Sequence, residues 1–156
     1  MSRAFVSEEA EEARAALLPE RPISSHPNWV TPRGLGLIES RVASLQSELS
    51  GASIDDTTRP RLLRDLRYWQ ARRASAQSVE RRHVAPGEVV FGVMVAMRRG
   101  GILSRFRIVG EDEADPAQAL LSWTSPLAVA LMGAQPGDVV EIGGGREPVL
   151  VEAIEP

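Results

Sequence analysis

Two adjacent carboxylates, Asp55 and Asp56, stand in the short polar stretch Gly51-Ala52-Ser53-Ile54-Asp55-Asp56-Thr57-Thr58. Adjacent aspartates can serve one metal ion, and they are equally ordinary turn and helix-start residues. Directly after them come Arg59, Arg61, Arg64, Arg67, Arg72 and Arg73, and residues 59–82 hold eight arginines against only Asp65 and Glu80. Arg61 and Arg64, like Arg64 and Arg67, are three apart and share a helix face. Guanidinium groups carry forked donors and a permanent charge, which suits phosphate; the competing reading is a solvated outer face. No aromatic ladder interleaves these arginines, so base stacking is not indicated. A second carboxylate group, Glu111-Asp112-Glu113 with Asp115, lacks calcium-loop spacing and reads as a solvated turn.

Other chemistries are excluded. There is no cysteine, so disulfides and thiolate metal sites are out. His26 and His83 are too far apart in sequence to form a ligand pair. Gly143-Gly144-Gly145 is followed by no helix and reads as a hairpin turn rather than a phosphate loop. No intrinsic metal or cofactor is expected. No apolar run approaches the roughly 20 residues of a membrane span, and the acidic N-terminus lacks the apolar core of a secretory signal. The expectation is a cytoplasmic protein with no membrane partner. The net charge of −3 hides an asymmetry. Residues 84–156 carry ten acidic groups against five arginines, the reverse of the 59–82 stretch. Lysine is absent throughout, which we read as compositional bias of the genome.

These groups must be positioned by two kinds of element. Residues 1–33 read as an irregular lead-in. A short acidic helix is expected over 7–18, then an extended path imposed by Pro19, Pro22, Pro27 and Pro32, with Trp29 available as an anchor. Leu35, Ile38, Val42, Leu45 and Leu49 step by three and four, the seam of a helix that packs on one partner. A second helix is expected from Thr57 or Thr58, with Leu62, Leu66, Trp69 and Ala76 on its seam and Arg73 at the polar step. Together, residues 34–83 predict an antiparallel helical hairpin.

From Pro86 onward, within a C-terminal domain expected over 84–156, the period changes to two. The run 89–97 reads as a buried strand, followed by a Gly100-Gly101 turn and strands over 103–109, 120–123, 139–142 and 148–154. One short helix interrupts them: Ser125 caps it, Pro126 opens it, Gly133 ends it, and Leu127 and Leu131 face the core with Phe106 and Trp123. The whole reads as an α+β protein, helical hairpin first and antiparallel sheet domain second.

The ordered string RIVGEDEADP, then SPLAVALMGAQPGDVVE, resembles the C-terminal domain of the bacterial Gre transcription elongation factors, GreA and GreB. The start Thr31-Pro32-Arg33-Gly34 is similar to the Thr-Pro-x-Gly that opens the first helix of their coiled coil. The resemblance implies an FKBP-like C-terminal domain that docks on RNA polymerase, with Glu111, Asp112, Glu113 and Asp115 as contacts. It implies a hairpin that enters the polymerase secondary channel. Tip carboxylates, here Asp55 and Asp56, would then assist a Mg²⁺ of the polymerase active site, and a basic patch would attract the nascent RNA 3′ segment. A few carboxylates suffice for Mg²⁺ where phosphates and waters supply the other ligands. Such a factor is no enzyme of its own.

The sequence departs from the family at the tip. The Asp-x-x-Glu-Asn-Ala-Glu pattern of cleavage-active members is absent, and a first helix of about 16 residues reaches only roughly 25 Å. Promotion of transcript cleavage and cleavage-incompetent occupation of the channel therefore both stand, as does a role like that of nucleoside diphosphate kinase regulators, whose hairpin is also short. Prolyl isomerisation needs an aromatic-lined pocket, and the C-terminal half offers only Phe91, Phe106 and Trp123.

Overall fold

A computed structural model describes residue 10 and residues 18–51 and 53–156. The short helix expected over 7–18 falls, apart from Ala10 and Leu18, outside the described residues. The chain divides into two compact units, one holding Leu37–Ser75 with the residues before His26, the other His26–Gly36 with Ala76–Pro156.

In the first unit, helix α1 spans Pro32–Leu49, its first residues belonging to the second unit, and helix α2 spans Arg59–Ser75. The three-four seam appears as read: Ile38 and Val42 are fully buried, and Leu35, Leu45 and Leu49 are half-buried. On α2 the polar step falls one residue earlier than the spacing suggested. Arg72 is buried at 2% exposure and Arg73 is exposed. Residues 18–25 are tied to α2. The Arg21 guanidinium lies 3.9 Å from the Tyr68 ring centroid and 3.6 Å from Asp65, and Glu20 accepts from Arg67 at 2.5 Å.

The second unit is built on a five-stranded sheet of order β5-β4-β3-β7-β6, with β3 Met94–Arg99, β4 Ile102–Val109, β5 Leu120–Ser122, β6 Val139–Val140 and β7 Val149–Glu155. Its pairs are antiparallel except β4 with β5, which is parallel. The Gly100-Gly101 turn joins β3 to β4 with both glycines at positive φ, a geometry that a two-residue hairpin turn requires. The expected strand over 89–97 is only half a strand. Gly92, at φ 91°, bends the chain, and the Val93 N–H closes a turn on the Val90 carbonyl. Regular strand pairing therefore starts at Met94, although the Gly92 N–H already donates to the Ile108 carbonyl and the Val93 carbonyl accepts the Ile108 N–H, each at 2.9 Å. The inward face is nonetheless continuous, with Val89, Phe91, Val93, Val95 and Met97 all buried.

On β7 a bulge leaves Glu152 as the extra residue between Val151, the partner of Met97, and Ala153, the partner of Ala96. The extra residue shifts the pleat, so burial runs Val149, Val151, then Ile154. The short helix α3, Pro126–Leu131, covers this core with Ala128 and Leu131 fully buried. Ser125 caps it, accepting from the Ala128 N–H at 3.3 Å, and Gly133 leaves it at φ 81°. Phe106, Trp123 and Leu127 pack on the core half-buried.

Residues 26–36 are structured as part of this second unit. Strand β1, Trp29–Val30, pairs in parallel with β2, Gln77–Ser78. Trp29 stacks on Trp123 with centroids 4.4 Å apart and meets Phe91 edge-on at 5.8 Å. The anchoring role open to Trp29 in the sequence is thus taken up by two rings of the sheet domain.

Candidate functional site

The hairpin tip lies between α1 and α2. Asp55 organises it. Its Oδ1 accepts from the Thr57 N–H at 2.9 Å, the Thr57 hydroxyl at 2.6 Å and the Thr58 N–H at 2.7 Å; its Oδ2 accepts from the Thr58 hydroxyl at 3.0 Å. The threonines, expected as caps, donate their hydroxyls to Asp55 instead. The Asp55 carbonyl also accepts the Thr58 and Arg59 N–H groups at 3.2 Å, which starts α2. These donors, the Thr57 and Thr58 hydroxyls first, lower the Asp55 pKa to about 2, so the carboxylate is ionised at any physiological pH. Acceptor capacity for a cation remains mainly on Oδ2. Asp56 is exposed beside it. The pair can present negative charge and one or two hard oxygens, a partial ligand set that needs a partner to complete a Mg²⁺ shell.

The arginines of α2 do not form one uniform face. Arg59, Arg61 and Arg73 are exposed. Arg64 is half-buried and donates to Asp65 through Nε at 3.1 Å and its terminal nitrogen at 3.0 Å. Arg67 is exposed and forks onto Glu20, whose hydrogen bond raises the Arg67 pKa while lowering that of Glu20. Arg72 is buried and leaves any solvent-facing patch. A buried arginine on the inner seam was not legible because a heptad pattern treats a long charged side chain as exposed.

The acidic run is not a solvated turn. Glu113 is 6% exposed and accepts from the Thr31 hydroxyl at 2.5 Å and from Arg33 at 3.1 Å. Glu111 accepts from the Thr124 hydroxyl at 3.2 Å. Asp115 caps a single 3-10 turn, Pro116–Gln118, accepting from the Ala117 N–H at 3.1 Å. The turn closes with Ala119 in the left-handed region and an Asp115–Leu120 bridge. Glu111, Glu113 and Asp115 thus bind their own fold. Sequence reading missed the Glu113 clamp on Thr31 and Arg33. Its only sequence signal is Gly34, because a Cβ there would lie 2.7 Å from Glu113 Oε2.

A five-stranded sheet with one short helix packed on its core, and a capped acidic turn before β5, defines an α+β domain. Residues 84–156 match the family described as transcription elongation factor, GreA/GreB, C-terminal. The chain is 34% identical over 122 residues to the transcription elongation factor GreA of Methylococcus capsulatus, covering 74% of this chain and 62% of that one. It is 45% identical over 73 residues to GreA of Alkalilimnicola ehrlichii, covering 44% and 46% respectively. Among solved structures, GreA factor homolog 1 of Thermus thermophilus aligns at TM-score 0.41 and 17% identity, over 84% of this chain and 100% of that one, too remote a likeness to add to the argument. Residues 84–156 are therefore similar to the C-terminal domain of the Gre factors, and the chain spans less than two thirds of the length of these GreA relatives.

Proposed function

We propose that this protein binds RNA polymerase through residues 84–156 and regulates transcription elongation from the cytoplasm with its helical hairpin directed into the secondary channel. The observation that carries the reading is the match of the whole sheet domain to the GreA/GreB C-terminal family, joined to a helical pair with an acidic tip. The domain supplies docking. The tip supplies charge: Asp55 and Asp56 extend ionised oxygens toward a Mg²⁺ that the polymerase itself holds, and that ion would activate water for cleavage of backtracked RNA. Arg59, Arg61 and Arg73 are free to meet phosphate of the RNA 3′ segment.

A second reading has one observation in its favour. Asp55 spends its carboxylate on Thr57 and Thr58, which suits a tip that fills the channel without supporting cleavage. One experiment separates them: stalled, backtracked elongation complexes incubated with the full chain. Retention on core polymerase with transcript shortening supports the cleavage reading. Retention with slowed elongation and no shortening supports occupation alone. Failure of the full chain and of residues 84–156 to retain core polymerase overturns the proposal.

A further inference from the structure

We propose that the cavity beside Arg107 in the sheet domain is a binding site for a small phosphate ester of the mononucleotide class. The cavity encloses about 500 Å³ and lies wholly among residues of the second unit. That volume is typical of a small-ligand site. Its wall is apolar where Phe91 and Val93 come through from the core and where Val79 and Leu120 flank them. Four guanidinium groups, those of Arg33, Arg81, Arg82 and Arg107, line the rest.

Charge compensation inside the cavity is incomplete. Arg107 is half-buried; it donates to the Gly92 carbonyl at 2.7 Å and, more weakly, to the terminal oxygen of Pro156 at 3.4 Å. Burial first, and the neighbouring Arg81 second, lower its pKa against the opposing pull of Glu113 and Glu155. Among the described residues, Arg81 donates to the same terminal oxygen of Pro156, at 3.4 Å. Two carboxylates line the cavity. Glu113 is already bound to Thr31 and Arg33, and Glu80 is exposed. An anion entering the cavity would meet forked donors from two or three arginines at once, a geometry that favours phosphate oxygens. The apolar wall would take a ring or other flat body attached to the phosphate. An RNA strand is a poorer fit, because strand binding needs a groove that tracks several nucleotides.

The test uses the full chain alone, so its outcome does not depend on whether the chain binds polymerase. Titration calorimetry with adenosine diphosphate, inorganic pyrophosphate, adenosine and a six-nucleotide RNA reads it directly. The expected order is adenosine diphosphate tightest, pyrophosphate about tenfold weaker and adenosine without measurable binding. The double change Arg81→Ala with Arg82→Ala should weaken adenosine diphosphate binding at least tenfold. Both residues are exposed and outside every strand, so the thermal melt should be unchanged. Arg107→Lys, which keeps charge but loses the fork, should weaken it as well. Adenosine diphosphate failing to bind, binding the double variant equally well, or binding no better than adenosine overturns the proposal. So does tighter binding of the six-nucleotide RNA, which would make this a strand-tracking surface.

Discussion

Thr31 and Glu113, 82 positions apart in sequence, are joined by a 2.5 Å hydrogen bond from the threonine hydroxyl to the buried carboxylate. The same Thr31 oxygen accepts the Gly34 N–H at 3.0 Å, and Arg33 completes the clamp from the other carboxylate oxygen. The first turn of α1 is therefore seated on the sheet domain's acidic turn. Gly34 is part of the device because there is no room for a Cβ above Glu113.

This arrangement makes a sign-reversing prediction. Gly34→Ala should destabilise the protein by about 1–3 kcal/mol, because Glu113 must move and release Thr31 and Arg33. In a Glu113→Ala background the obstruction is gone, and the same change should be neutral or stabilising by up to about 1 kcal/mol from helix propensity. A double-mutant cycle by chemical denaturation measures both. Equal effects of Gly34→Ala in the two backgrounds would show that the clamp does not hold the turn.

Trp29→Ala should cost about 3 kcal/mol, since it removes a ring stacked on Trp123 and edge-on to Phe91 and opens a cavity against the core. Amide exchange should show β1 and β2 losing protection well before the five-stranded sheet. A variant whose β1 and β2 amides stay as protected as the parent's would show that pairing, not the aromatic stack, holds the segment.

Periodicity made the helical seam and the sheet domain legible. Leu35, Ile38, Val42, Leu45 and Leu49 fall on one face whatever follows them, and the Ser125-Pro126 start of α3 needs no tertiary partner. What stayed hidden depends on contacts across long sequence distances. Gly92 bends an almost wholly apolar run, and only its positive φ shows that regular pairing waits until Met94. Glu113 reads as loop charge until Thr31 and Arg33 reach it. Arg72 reads as surface until its helix is placed. The cavity beside Arg107 is assembled from five separate chain segments, and no local pattern marks it.

The tip carries a pH prediction. Asp55 has its pKa lowered from 3.8 to about 2 by the Thr57 and Thr58 donors. A carboxylate depressed in the folded state stabilises it above the unfolded pKa, and that contribution is lost as pH falls through the folded one. The loss should fall between about pH 4 and pH 2, in the window set by those two values. Carbon-detected NMR should place the Asp55 midpoint near 2, and Thr57→Val with Thr58→Val should raise it toward 3.8. An ordinary midpoint in the parent would mean that the four hydrogen bonds do not persist in solution.

The arginine face predicts a salt signature. Arg64→Ala with Arg67→Ala should weaken association with a backtracked elongation complex and flatten its dependence on salt, because each lost phosphate contact releases fewer counterions. Arg67 must first leave Glu20, so the effect should be smaller than that of Arg59→Ala with Arg61→Ala, whose side chains are exposed and have no such ion pair. Affinity unchanged by all four substitutions at low salt would make this face a solvated surface only.

The last prediction concerns what the tip does once it is inside the channel. Asp55→Asn with Asp56→Asn keeps size and turn-forming ability and removes both negative charges. Docking should survive if, as proposed, it rests on residues 84–156, and α2 should still start, since an amide oxygen can accept the Thr57 and Thr58 N–H groups. An amide is a much poorer Mg²⁺ ligand than a carboxylate. If the tip acts on the polymerase ion, the double variant should bind core polymerase like the parent yet lose its effect on backtracked complexes. Asp56→Asn alone should lose part of it, because Asp56 is exposed and outside the Thr57 and Thr58 hydrogen bonds that Asp55 makes. A double variant that still regulates elongation as the parent does would assign Asp55 to the turn alone and regulation to the bulk of the hairpin in the channel.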